Sequence, residues 1–274
     1  MDPPVITFLS DYGYRDEFVG VCHGVIARRC PAARVIDLTH AIPPRDLQTG
    51  AEVLRSGLPY MPAGVHLAVV DPDVGAVGAH ARRAVALRTA EEDRLLVGPD
   101  NGLLMPAAEL FGGAVEAVDI GASPERLEPV SRTFHGRDIF APVAGALAAG
   151  ARLAAVGEPL AVDVLRRLEL PSAHLGDGVL RAHVLRRDSF GNLILDAHAE
   201  QLAALGVGLG ERMTVGHAGR IHTVRYGSTF ADVPAGELLG YEDSQRMLAL
   251  AVNRGSAAEL LGAERGDELA VRPA

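Results

Sequence analysis

Apolar residues in the first half of the chain alternate between short β-rich runs and stretches with helical spacing. VITFL (5–9) reads as a strand. After the polar SDYGYRD, the apolar positions Phe18, Val21, Cys22, Val25 and Ile26 recur every three or four residues, as on one face of a helix, with Pro31 just beyond it. RVIDLTH, VHLAVVDP, ARRAVALRT, RLLVGPD and AVEAVDI read as further strands, with helices expected near 46–57 and 101–111. The segment from Gly136 to Leu147 is the last long helix of this half. Alternation of this kind predicts a Rossmann-like α/β domain with a mostly parallel sheet.

The pattern weakens around PLAVDVLRRLELPSAHLGDG, where Pro159, Pro171 and Gly176 interrupt it, and the domain boundary is placed at 172/173. Beyond it, GVLRAHVLRRDSFGNLILDAHAE reads as two strands meeting at a turn, and RMTVGHAG with RIHTVRYGS as a hairpin. MLALAVN and ELAVRP follow as strands. Residues 173–274 are thus expected to form a smaller antiparallel, barrel-like β domain whose one short helix lies near Ser256–Leu261.

Composition narrows the function. The 274 residues are 48% hydrophobic with a mean hydropathy of +0.16, enough for a substantial core. Net charge is −9 and basic residues cluster no further than pairs such as Arg28-Arg29, so a nucleic-acid partner is not expected. The run VITFL is too short for a signal segment or a membrane span, and a cytoplasmic location is expected. Cys22 and Cys30 lack the paired spacing of a zinc site and read as buried thiols. All 26 basic residues are arginine, which excludes Schiff-base and P-loop chemistry, since both need a lysine amine.

In an open α/β sheet, ligands sit beyond the carboxyl ends of the strands, so polar residues just after predicted strands are the candidates. Four groups qualify: Asp11 after VITFL, Asp71 and Asp73 after VHLAVV, Asp100 and Asn101 after RLLVG, and His135 with Arg137 and Asp138 at the start of the last helix. Taken singly, each could merely cap a helix or satisfy a turn, as Asp16 could. A guanidinium from Arg82-Arg83 beside Asp71 would hold that carboxylate ionised and fixed. In the β domain, RRDSFGNLI places Asp188, Phe190 and Asn192 together, either as a plain turn or as an acid, an amide and a ring able to bind an ammonium group.

The stretches FLSDYGYRDEFVG, VIDLTHAIPPRD, VVDPDVG, VGPDNGLL, TFHGRDIFAP, DSFGNLI, STFAD and AVNRGSAAELLG, in this order along nearly the whole chain, resemble the S-adenosyl-L-methionine (SAM) hydroxide adenosyltransferases, or SAM hydrolases, relatives of fluorinase and chlorinase. The resemblance implies hydrolysis of SAM to adenosine and L-methionine by attack of an activated water on the ribose C5′. It implies no cofactor and no metal, and a homotrimer whose sites join one subunit's N-terminal domain to a neighbour's C-terminal domain. By motif position the residues that hold the water are Asp71, Arg82 and His135, with Arg83 the rival for the arginine. The substrate contacts implied are Asp11 on the ribose, Asp188 and Asn192 on the ribose or methionine, Phe190 and Phe230 on the adenine, and Ser244 on the methionine carboxylate. Two departures stand out: Asp73 replaces a glycine of the family pattern and the loop from there to the arginine pair is long, and YEDSQRMLALAVN lacks the glycine that the family more often has soon after the serine matched by Ser244. Two alternatives remain, a non-catalytic nucleoside- or SAM-binding protein on the same fold and a metal-dependent hydrolase with Asp11, Asp71 and His135 as ligands.

Overall fold

The computed structural model describes residues 2–274, which divide into two compact units, one ending at Glu169 and the other running from Leu170 to Ala274. The first is built on a seven-stranded sheet in the order β2-β1-β3-β5-β4-β6-β7: β1 (Val5–Ser10), β2 (Arg34–Thr39), β3 (Val65–Val69), β4 (Ala84–Thr89), β5 (Leu95–Pro99), β6 (Ala114–Asp119) and β7 (Glu158–Leu160). The block β2-β1-β3-β5 is parallel, whereas β4 runs antiparallel to both β5 and β6. RLLVGPD follows ARRAVALRT through only the short AEED link, too short for a crossover helix, so this pair forms a hairpin inside an otherwise parallel core.

All five residues of β3 are buried, as expected of a central strand covered on both faces. One face packs against α1 (Phe18–Arg29) and α4 (Ala141–Ala148) through Ile6, Phe8, Leu67, Val69, Ile26 and Val143. The other face packs α2 (Leu47–Gly57) and α3 (Met105–Glu109) against Leu9, Ala68, Val70, Leu87 and Leu96. The alternation of Phe8 and Leu9 between the two cores is the two-residue period of a strand. Asp46, not Asp16, makes a side-chain cap in this unit: it accepts from Thr49 N at the start of α2, while α1 begins after Glu17 without such a bond. A short α5 (Leu153–Val156) precedes β7.

The second unit is a closed barrel. Starting from β9 (Val179–Arg187), the order is β9, β10 (Leu193–His198), β14 (Met247–Val252), β13 (Leu238–Glu242), β12 (Arg220–Tyr226), β11 (Arg212–His217), β15 (Glu268–Pro273) and back to β9, with β8 (His174–Gly176) added on β9. All pairings are antiparallel except β12 with β13. Closure leaves no exposed edge along the main ring. Leu180, Val184, Leu195, Met213, Val224 and Leu250 are among the side chains that fill the interior. The unit holds two helices rather than one: α7 (Ala257–Leu261), near the expected position, and α6 (Ala199–Ala204), which begins at a reciprocal cap between His198 and Gln201.

Candidate active site

In the first unit, β1 and β3 lie side by side, and the chain leaves β1 toward β2 on one flank while β5 continues the sheet on the other. Such a change of direction opens a crevice at the carboxyl ends of the two strands. Asp11 follows β1 and Asp71 follows β3, so two strands of the switch point each deliver an acid to the same crevice. His135 reaches it from the segment after β6. It directly precedes a π-helical turn, Gly136–Phe140, that leads into α4. Single π turns inside helices commonly mark functional positions, because they re-aim side chains that a regular helix would place elsewhere.

Two close approaches bring the loops together, and both need glycine. Gly75, in the loop after Asp71, has φ +72°, and a Cβ there would lie 2.0 Å from the carbonyl oxygen of Arg132. Gly136, next to His135, packs so closely on Tyr12 that a Cβ would lie 2.0 Å from the phenol oxygen. The first fixes the Asp71 loop against the strand-to-helix connection. The second seats His135 over the loop that carries Asp11.

Arg82 binds the two other groups together. Its Nε donates to Asp71 Oδ1 at 2.9 Å, its Nη2 donates to Asp71 Oδ2, and the same Nη2 donates to His135 Nδ1 at 2.8 Å. The ion pair is well shielded, with side-chain exposures of 4% for Arg82 and 6% for Asp71, and the guanidinium lies 5.4 Å from the Phe140 ring centre. A buried bidentate pair is rigid, and removing one partner leaves an uncompensated charge at a cost of about 3–5 kcal/mol. Arg83 instead is 44% exposed and bonds Asp100 at 3.2 Å. The geometry thus selects Arg82 as the arginine joined to Asp71 and His135. Arg82 and His135, with Arg83 beside them, line a cavity of about 830 Å³ whose lining does not include Asp71 or Asp11.

Because a guanidinium can only donate, His135 Nδ1 must accept, which leaves the proton of the neutral ring on Nε2. Burial, reinforced by the Arg82 charge, holds the His135 pKa below that of a free histidine against the opposing pull of Asp71 and Asp138. Asp11 is bonded through Oδ2 to Arg45 N at 2.8 Å. Its pKa is raised, chiefly by burial, with the Asp71 charge adding to the shift. Among the described residues, Arg82 Nη1 makes no hydrogen bond to protein.

Other residues singled out in the sequence have structural duties. Asp100 is buried and accepts from Arg166 N at 2.8 Å as well as from Arg83. Asn101 ties Val70 O to Leu103 N. Asp138 is buried beside His135 but holds Arg137 and the amide of Ser131, so it braces the loop. Asp73 lies in a turn closed by Ala76 N to Asp73 O.

In the second unit, Asp188, Phe190, Asn192, Phe230 and Ser244 all line one cavity of about 730 Å³. Asp188 accepts from the amides of Phe190 and Asn192 and from Asn192 Nδ2, so the turn pre-orders the acid and the amide together. Phe190 is 78% exposed, an unusual position for a large ring without a partner to cover it. Phe230 packs edge-on against Tyr241 at 5.1 Å.

Three contacts escaped the sequence reading. Tyr12 adjoins Asp11 in SDYGYRD, so its position was visible, but its closeness to Gly136 depends on the fold. Burial drives its phenol well above the usual value. Phe140, under Arg82, looked like one more apolar helix residue. Tyr241 lies on β13, LLGYE, a strand interrupted by glycine in the sequence pattern.

The N-terminal domain model of the SAM hydroxide adenosyltransferases matches residues 6–157, and the C-terminal domain model of the same family matches residues 182–270. The chain is 49% identical to an (R)-S-adenosyl-L-methionine hydrolase of Salinispora tropica over 98% of this chain and 97% of that one. It is also 31% identical to a fluorinase of Nocardia brasiliensis, covering 93% and 92% of the two chains. Among solved structures, an uncharacterized conserved protein from Thermotoga maritima superposes with a TM-score of 0.90 at 34% identity, covering 97% of this chain and 99% of the other. With both of its domains matched and relatives aligned over nearly their whole length, the chain belongs to the SAM hydroxide adenosyltransferase family.

Proposed function

We propose that this protein hydrolyses S-adenosyl-L-methionine to adenosine and L-methionine by in-line attack of a water on the ribose C5′. The observation that carries this reading is the Asp71–Arg82–His135 cluster at the β1/β3 switch point. The sulfonium makes methionine a good leaving group, so the protein chiefly has to position and strip a water and take its proton.

The hydrogen bonds divide the work. His135 Nδ1 is occupied by Arg82, so the neutral ring offers Nε2–H as a donor and cannot take a proton while that bond stands. Asp71 keeps lone pairs beyond those used by Arg82 and is the acceptor for the water's proton. Arg82 Nη1 and His135 Nε2–H then stabilise the hydroxide oxygen as it forms. The guanidinium fills the place between Asp71 and His135 that a metal would need, which argues for chemistry without a cofactor and against Asp11, Asp71 and His135 as a ligand set.

Asp11 is assigned to the ribose hydroxyls and Asp188 with Asn192 to the ribose or methionine. Phe190 and Phe230 are assigned to the adenine, and Ser244 to the methionine carboxylate. The shared cavity of the last five and the exposed Phe190 ring support this division. In the assembly we propose, a cytoplasmic homotrimer, the first unit of one subunit supplies the reacting groups and the second unit of a neighbour supplies these binding groups. Among the described residues no helix is long and apolar enough to cross a membrane, and both cysteines are buried free thiols.

Incubation with SAM, followed by product quantification, tests the reading. Adenosine and methionine should appear in equal amounts, and Asp71→Asn should lower kcat by about 10²–10⁴ while SAM still binds. SAM binding without release of adenosine would instead indicate a binding protein.

A further inference from the structure

A second polar cluster lies in the first unit on the far flank of β1, where α1 meets β2. His23 Nε2 is 2.8 Å from Asp37 Oδ1, and His40 Nε2 is 3.0 Å from the same oxygen. The three donor atoms lie within 4.8 Å of one another. His40 is fully buried, and its Nε2 faces Asp37 Oδ1 at 3.0 Å without the direction of a regular hydrogen bond.

The rest of the cluster suits a ligand role for that nitrogen. His40 Nδ1 is 2.7 Å from Ser10 Oγ, so a proton on Nδ1 bonded to the hydroxyl would turn the Nε2 lone pair toward Asp37. That outer bond is how proteins fix the tautomer and plane of a metal-bound histidine. The Phe8 ring packs edge-on against His40 at 4.5 Å and supplies an apolar wall. Burial holds His40 toward its neutral, ligating form, against the pull of Asp37. His23 and Asp37 are about one-third exposed, leaving a route in and an open position for water.

We infer that His23 Nε2, Asp37 Oδ1 and His40 Nε2 form a binding site for a divalent first-row transition ion, with Zn²⁺ the fitting probe. Two imidazoles and one carboxylate favour such an ion over Ca²⁺ or Mg²⁺, which prefer all-oxygen sets. At bond lengths of about 2.0–2.1 Å the donors need to sit roughly 3.3 Å apart. The Asp37 contacts are already close to that spacing, and the exposed His23 can swing to complete it. Loading moves the His23 proton from Nε2 to Nδ1, for which the described residues give no hydrogen-bond partner. The ion would brace the loop carrying Asp11, because Ser10 Oγ also accepts from Tyr12 N and His40 O accepts from Gly13 N at 2.8 Å. It takes no part in the hydrolysis, and the inference stands whatever the fate of that reading.

The test uses chelator-treated full-length protein titrated with Zn²⁺ alone, followed by calorimetry and by competition with a chromogenic chelator. One equivalent per chain should bind to the unaltered protein. His23→Gln and Asp37→Asn, with folding verified by circular dichroism, should each weaken binding by at least about tenfold. Asp71→Asn should leave the affinity unchanged. Co²⁺ loaded in place of Zn²⁺ should show the visible absorption of a four-coordinate site, lost in His23→Gln. The absence of one-equivalent binding, or an affinity equal in the unaltered protein and in His23→Gln and Asp37→Asn, would overturn the inference.

Discussion

Arg82 and Arg83 are neighbours with the same side chain, yet their surroundings give them different tasks. Arg82 spans Asp71 and His135 under near-complete burial, whereas Arg83 reaches Asp100 from a largely exposed position. A lysine is a point charge on a flexible stem and cannot reproduce the bidentate fork. Arg82→Lys should therefore lower kcat by about 10²–10³, the usual effect of removing one preorganised donor, while Arg83→Lys should leave it within about threefold. Steady-state kinetics on the two variants would decide the register on which the mechanism rests. His135 adds a pH signature. Its pKa is lowered, so the neutral ring persists below the range in which an ordinary histidine takes up a proton. Protonation would put an N–H against the Arg82 donor, so the protonated form is inactive, and the unfolded chain takes up the proton first. Stability should hold above pH 6.5 and begin to fall below it, where the unfolded chain takes up the proton, while activity should persist below pH 6.5 and fall only as the pH drops through the lowered pKa of the folded enzyme. An activity profile of kcat/KM with an acid limb above pH 6.5 would contradict the tautomer assigned here.

The helix start TFHGRDIF shows how an element turns sequence into a site. Its polar residues looked like one pocket in the sequence, but the π turn separates them. His135 faces Arg82, while Asp138 turns back to hold Arg137 and Ser131 N. Gly136 permits this by letting the Tyr12 phenol pass where a Cβ would stand. Gly136→Ala should cut kcat/KM by about tenfold or more through displacement of Tyr12 and His135, and adding Tyr12→Phe should restore part of the loss. Coupling of this kind is what a double-mutant cycle on touching residues detects. Strictly additive losses would mean that the close approach has no bearing on the site. α1 was legible in the sequence because burial of one face imposes a helical period, and β3 because its short, continuous β-rich apolar run is bounded by Gly and Pro. β13 was not, since glycine interrupts its pattern, nor was α6, which is only six residues long and relies on its cap. The hairpin of β4 and β5 was hidden for a different reason: two fully buried strands read alike whichever way they run.

For the whole molecule, the candidate site residues divide between two compact units with separate cores, one holding Asp71, Arg82 and His135 and the other holding Asp188, Phe190, Asn192, Phe230 and Ser244. The sequence disclosed which residues belong to each group through their motifs. It could not disclose that Arg82 rather than Arg83 closes the triad, because that depends on how the loop from Gly75 to Ala81 packs. If sites form between subunits of a cyclic trimer, two inactive variants should complement each other. Mixed Asp71→Asn and Asp188→Asn chains, dissociated and reassembled together, should regain about a quarter of the wild-type sites, since each site then draws one intact half from each parent. No recovery would place both halves of a site on one chain. The chemistry itself is read most directly by turnover of SAM in oxygen-18 water with mass spectrometry of the products. Activated water attacking carbon puts one label in the 5′-hydroxyl of adenosine and none in methionine. Adenosine released without label would contradict attack at C5′ by a water held between Asp71, Arg82 and His135.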